Sequence, residues 1–203
     1  MIKNLIFDVG DVLIEYRWRD MMMDHGLTLE EAERIGGEIF DHPYWRELDL
    51  GNMSTEEVAE GFHKLYPEDG DSIEWFLTHG EYMHVPRPKV WEKVHRLKEK
   101  GYKIYLLSNY SEDLFRKHTR GASFLDDIDG KVVSYMIHEA KPEEPIYRHL
   151  LDTYGLVASE SIFYDDRADN VATARKLGLQ AHVIESQEQL LSLLEEREKE
   201  YGR

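Results

Sequence analysis

NLIFDVGDVLI, residues 4–14, decides how the rest of this 203-residue chain is read. The run Leu5-Ile6-Phe7 is apolar without alternation, the pattern of a strand buried on both faces in a parallel sheet. It ends on Asp8, and a carboxylate there must be desolvated or paired, a poor choice for stability alone. Three further segments repeat the pattern. IYLLSN runs into Ser108 and Asn109, HEAKPE brings Lys141 after another apolar run, and IFYDDRADN ends on the pair Asp165-Asp166.

Outward from residues 4–14, runs rich in β-branched and aromatic residues predict five strands. They cover Asn4 to Val9, Lys103 to Ser108, Val132 to Ile137, Ser161 to Tyr164 and Gln180 to Ile184. Helix-period segments alternate with them: Pro88 to Lys100, Ser111 to Arg120, Glu143 to Tyr154, Ala168 to Leu177 and Ser186 to Tyr201. Gly101, Gly155 and Gly178 stand where helices should stop. The expected fold is therefore α/β: a Rossmann-like, doubly wound, mainly parallel sheet. Ligands in such sheets bind beyond the carboxyl ends of the strands, where Asp8, Ser108 and Asp165-Asp166 fall.

Residues 16–86 break the alternation, with helical patterns and no convincing strand. Thr28 with Glu31, and Ser54 with Glu57, have capping-box spacing and open helices over Thr28 to Phe40 and Ser54 to Tyr66. A third helix is expected over Asp71 to Met83. The predicted organisation is a core of residues 1–15 and 87–203, with 16–86 as a small helical cap inserted after the first strand.

Composition narrows the function. A net charge of −16 argues against nucleic acid and anionic membranes, which recruit basic surfaces. The chain has no cysteine, which removes disulfides and thiolate chemistry, and its ten histidines form no metal-binding spacing. No apolar run approaches the length of a membrane span. A cytoplasmic protein, monomer or homodimer, acting on a small molecule is expected.

The strand-end residues suit phosphoryl transfer. A carboxylate such as Asp8 can attack phosphorus and form an aspartyl-phosphate, dividing hydrolysis into two easier steps. Anion attack on anion needs a divalent metal, and Mg²⁺ favours oxygen ligands. Asp8, Asp166 and the carbonyl of Gly10, uncovered by any side chain, would supply them. Adjacent residues of a strand point oppositely, so Asp166 is expected as direct ligand, with Asp165 behind it or acting through water. Ser108 would donate its hydroxyl to phosphate and Asn109 its amide. Lys141 would neutralise nucleophile and phosphoryl group together, and Asn170 would steady the acidic cluster.

These segments, in this order, resemble the four motifs of the haloacid dehalogenase (HAD) superfamily: FDVGDVL, LLSN, the lysine of AKPEEPIY, and FYDDRADN. The resemblance spans essentially the whole chain and extends to the subfamily with an α-helical cap. Within it the FDVGDVL opening and WRELDLGNMSTEE are similar to sugar-phosphate phosphatases with FDLGNVL-like openings, such as the bacterial α-D-glucose-1-phosphate phosphatases. The resemblance implies a Mg²⁺-dependent phosphatase acting on a small phosphate ester. It also exposes a departure. Superfamily phosphatases carry an acid–base aspartate two residues after the nucleophile, and here that position is Gly10. General acid–base help is worth about 10²–10⁴-fold. Asp11 is the nearest replacement, although strand alternation turns it away from Asp8. A 2-haloacid dehalogenase, which needs no such acid, and a catalytically impaired binding protein are the rival expectations.

Overall fold

The computed structural model describes residues 1–200. Its main sheet has five parallel strands: β1 (Asn4–Phe7), β4 (Lys103–Ser108), β5 (Gly130–Val133), β6 (Ser161–Asp165) and β7 (Gln180–Val183), in the order β5-β4-β1-β6-β7. A second, two-stranded ribbon pairs β2 (Ile14–Tyr16) antiparallel with β3 (His84–Pro86). Strand β1 is central, with Phe7 in register with Leu106 of β4 on one side and Tyr164 of β6 on the other. That position explains its unbroken apolar run, since both faces are covered. Leu5 and Phe7 join Ile104, Leu106, Ile162 and Tyr164 in one apolar layer, while Ile6 joins Tyr105, Leu107 and Phe163 in the other. The first layer packs on α6 (Pro88–Glu99) and α11 (Gln187–Glu200) through Val90, Val94, Leu97, Leu190 and Leu194. The second packs on α9 (Glu144–Tyr154) and α10 (Ala168–Lys176) through Ile146, Leu150, Val171 and Ala174. Helix α7 (Glu112–Thr119) follows β4, its N-terminal amides capped by Ser111. Gly101, Gly155 and Gly178 all have positive φ where α6, α9 and α10 end.

Five helices lie between β2 and β3: α1 (Trp18–Asp24), α2 (Leu29–Phe40), α3 (Pro43–Asp49), α4 (Thr55–Leu65) and α5 (Gly70–Thr78), with a 3₁₀ turn at Gly80–Tyr82. The capping boxes of α2 and α4 form on Thr28 and Ser54 as their spacing predicts. Met21 and Met22 are buried in the packing of this insert, while Met23 stays exposed. Its apolar core is continuous with that of the sheet.

Three expectations are corrected. The strand expected over Val132 to Ile137 is split, because β5 ends at Val133 and Ser134 starts the short helix α8 (Ser134–Ile137). The Ser134 hydroxyl donates to the Asp49 carbonyl and accepts from the Tyr110 amide, so tertiary bonds override the local β pattern. Residues 16–86 do contain strand, since β3 occupies their last three positions. Three residues of half-exposed ribbon are too few to give a period. Helix α3 was also missed, being seven residues long and capped by His42 rather than by serine or threonine. The expected end of the last helix at Tyr201 lies outside the described residues.

Candidate active site

Parallel pairing brings the ends of β4 and β6 to either side of Asp8. The Asp8 carboxylate, 8% exposed, accepts at Oδ1 from the Val9 amide (2.8 Å) and from the Ser108 hydroxyl. Its Oδ2 lies 3.0 Å from Lys141 Nζ. The ammonium is 2.6 Å from Asp165 Oδ2, so one buried cation bridges two carboxylates from neighbouring strands. Lys141 sits in a loop, and Asn109 holds that loop in place. The Asn109 amide donates to the Lys141 carbonyl and accepts from the Lys141 N–H, both at 2.9 Å. Asn109, expected to offer its amide to phosphate, is here a brace for the lysine.

The acidic pair divides as strand alternation requires. Asp165 is fully buried and accepts from Lys141, from Asn170 Nδ2 (2.9 and 3.1 Å) and from the Arg167 amide (2.9 Å). Asp166 faces the cavity, and no hydrogen-bond donor among the described residues reaches its carboxylate. One oxygen each from Asp8, Asp165 and Asp166 fall within 4.8 Å of one another. Burial raises the Asp8 carboxyl to about 6, with Lys141 opposing and Asp165 reinforcing the rise. Burial, then repulsion from Asp8 and Asp165, raises Asp166 to about 7. Three carboxylates against one lysine leave an excess of negative charge on an all-oxygen donor set, and the buried Asn170 Oδ1 beside them lacks a partner. Those features fit a hard divalent cation such as Mg²⁺. Asp166, whose carboxylate no donor reaches, and Asp8 beside it would offer oxygens to such an ion, and Gly10 lines the same cavity.

The missing aspartate at position 10 has a structural counterpart. A Cβ on Gly10 would stand 2.4 Å from Tyr16 Cε2 and 2.5 Å from its hydroxyl oxygen, so the Tyr16 phenol fills the volume on that side of the Asp8 cavity. Tyr16 is hydrogen-bonded to Tyr110, and Tyr110 to His118 Nδ1 (3.2 Å). His118 Nε2 lies 2.8 Å from the Gly80 carbonyl, which fixes it as the protonated nitrogen and Nδ1 as acceptor. The hydroxyl protons therefore run from Tyr16 toward His118, away from Asp8. Asp11, in a left-handed conformation (φ 52°), accepts at Oδ1 from the Tyr16 amide, and its carbonyl accepts from Arg87. It builds the turn that leads into β2.

The insert closes the other side of a cavity of about 460 Å³. Its wall is Trp18, Phe40 and Trp45, with Phe40 edge-on to both tryptophans (5.1 and 4.8 Å between ring centroids), and Met83 and Leu114 nearby. Arg46 and Asp49 are the charged groups that α3 adds to the lining. Burial, with repulsion from Asp8, raises Asp49 to about 7. Of the aromatic residues of the insert, Trp18 and Trp45 line the cavity, whereas Tyr44 packs on Phe62. His42 caps α3, His79 lies 2.9 Å from the Trp75 carbonyl, and the His84 ring is tilted against that of His118 with 4.7 Å between centroids. Tyr16, Tyr110 and Asp49 were not foreseen. Only Asp49 carries a sequence signal: an acid between two leucines at a helix C-terminus, where the dipole disfavours it.

A buried strand-end carboxylate, braced by a hydroxyl and a lysine, thus stands with two further aspartates at one end of a parallel α/β sheet and lines a cavity that the insert helps to enclose. The chain belongs to the haloacid dehalogenase-like hydrolase family, whose pattern it matches over residues 2–178. It is 26% identical over 180 residues to a sesquiterpene phosphatase of Aspergillus oryzae, covering 87% of each chain. It is 25% identical over 191 residues to a D-ribitol-5-phosphate phosphatase of Bacteroides thetaiotaomicron, covering 89% of this chain and 90% of that one. The fold matches a HAD family enzyme of the same bacterium, solved with magnesium and inorganic phosphate (TM-score 0.73, 22% identity, 92% and 96% covered). No helix among the described residues is long and apolar enough to cross a membrane.

Proposed function

We propose that this hydrolase is a Mg²⁺-dependent phosphatase that cleaves a small phosphate monoester through an aspartyl-phosphate on Asp8. The observation that carries the reading is the Asp8–Lys141–Asp165 bridge beside the unpartnered Asp166. In it, Lys141 holds Asp8 ionised and oriented while Ser108 fixes its Oδ1. When bound by Asp8, Asp166 and the Gly10 carbonyl, Mg²⁺ would offset the charge of the phosphoryl oxygens. Asp165 and Asn170 hold the lysine and the acidic turn in place. The insert, residues 16–86, acts as a cap that covers the ester and limits water. A haloacid dehalogenase would need Asp8 and Lys141 but would leave the unpaired Asp166 without a role.

A sugar or polyol phosphate is the leading substrate class, its apolar ring face lying on Trp18 or Trp45. The wall of Trp18, Phe40, Trp45, Met83 and Leu114 also favours a second class, isoprenoid or aryl phosphates, whose bodies need no hydrogen bonds. Phosphate release from a panel of both classes, with Mg²⁺ and with EDTA, tests the reading. Turnover should require Mg²⁺ and fall by at least about 10⁴-fold in Asp8→Asn, as removal of a nucleophile does. Undiminished activity in EDTA, or in Asp8→Asn, would refute it.

A further inference from the structure

Gly10 leaves the phosphatase reading without the group that protonates the departing oxygen, and the cavity offers one replacement. Tyr16 occupies the vacated space, but its proton points along the Tyr16–Tyr110–His118 chain. Asp11 is tied to the Tyr16 amide. We propose that Asp49, delivered from the insert at the end of α3, is the general acid–base of this enzyme, acting in place of the aspartate that position 10 cannot hold.

The placement of Asp49 supports this. It lines the same cavity as Asp8, Gly10, Tyr16 and Lys141, and it is near enough to interact with both Asp8 and Lys141. Its backbone is pinned to the core, because the Ser134 hydroxyl donates to the Asp49 carbonyl and His138 Nδ1 lies 2.8 Å from the Leu50 carbonyl. Gly51, with φ +70°, lets the chain lie against Tyr135, where a Cβ would stand 3.1 Å from the Tyr135 carbonyl oxygen. The side chain takes one hydrogen bond from the Ser111 main chain, and among the described residues no lysine or arginine forms an ion pair with it. A carboxylate placed at a helix C-terminus, between buried Leu48 and Leu50 and in the same cavity as Asp8, destabilises the fold. Such an arrangement is a mark of function rather than of packing.

The steps balance. Asp8 forms a bond to phosphorus as the ester P–O bond breaks, and the Asp49 carboxyl gives its proton to the departing oxygen, leaving as an alcohol. The Asp49 carboxylate then takes a proton from water as that oxygen attacks phosphorus. The Asp8–phosphorus bond breaks, releasing inorganic phosphate and restoring both side chains.

The proposal rests on the phosphatase reading, and one experiment separates them. Wild type and Asp49→Asn are compared on p-nitrophenyl, phenyl and benzyl phosphate, which are similar in shape but leave with increasing need of a proton. For benzyl phosphate, kcat/KM should fall by about 10²–10⁴-fold in Asp49→Asn. For p-nitrophenyl phosphate it should fall by no more than about tenfold, with phenyl phosphate between. The variant should also release p-nitrophenol in a burst of one equivalent, as the aspartyl-phosphate waits for its base. A loss equal across the three esters, or no loss, would overturn the role of Asp49 while leaving the phosphatase reading standing. A wild type inactive on all three and on every ester of the sugar and isoprenoid panel would overturn both. The p-nitrophenyl activity of the variant reports that it is folded.

Discussion

The two sides of the cavity are built on opposite principles. The floor, at the strand ends, is polar and over-determined: Asp8 and Asp165 each have three hydrogen-bonding or ionic partners, and Lys141 is shared between them. The wall, on the insert, is aromatic and contributes Arg46 and Asp49 as its charged groups. A floor of this kind fixes reacting atoms and tolerates no change. A wall of apolar rings can alter its shape, and with it the ester admitted, without disturbing the chemistry.

The largest effect that would sharpen this contrast is expected at Lys141. Lys141→Met strands two buried carboxylates and should cost about 3 kcal/mol or more in the metal-free protein, read as the midpoint of urea unfolding. A loss below about 1 kcal/mol would show that the floor is not held by this cation. Next is the seam between floor and wall. Gly10→Asp, which restores the family's usual acid in sequence, should fail to raise activity and should destabilise by about 1–3 kcal/mol, because its Cβ collides with Tyr16. Pairing it with Tyr16→Ala should recover part of that loss, and a stable, faster single variant would break the argument.

Magnesium should act on the floor in a pH-dependent way. The folded-state values of Asp8 and Asp166 are raised, to about 6 and about 7, above an ordinary carboxylate near 3.8. Their contribution to the metal-free protein is thus fully present below about pH 4 and is lost as pH rises through 6 and 7. A cation that binds the ionised forms should therefore raise the melting temperature more at pH 8 than at pH 5, and Asp166→Asn should erase most of the difference. The smallest effect belongs to the wall. Trp45→Ala should change KM, and the preference between sugar and isoprenoid esters, by about tenfold, or ~1.4 kcal/mol, with kcat nearly intact. A collapse of kcat there would erase the distinction between the two sides.

The floor was legible in sequence because its residues end strands or follow them. Parallel strands gather their ends in one place, so linear position became spatial position. Asp8, Ser108, Lys141, Asp165 and Asp166 meet for that reason, and the opposed directions of the two adjacent aspartates followed from alternation. The wall offered no such rule. Trp18, Phe40, Trp45 and Asp49 lie on three separate helices, and the angle at which short helices pack decides which face meets the cavity. Two of those helices, α1 and α3, are seven residues long and lack a capping box. The bracing of Lys141 by Asn109 was hidden for a related reason. Its neighbour across the site, the Lys141 backbone, is 32 positions away and belongs to a loop without pattern.

The ribbon of β2 and β3 gives the molecule one more property. All of the insert hangs from two adjacent three-residue strands, joined by main-chain hydrogen bonds and anchored through Arg87 and Trp91 to the carbonyls of Asp11 and Leu13. Tyr16, whose phenol lines the cavity with Asp8, is the last residue of β2. The tether that joins the insert to the sheet and the phenol that plugs the space beside Asp8 are therefore one continuous piece of chain, so a change at either end of the ribbon is felt at the other.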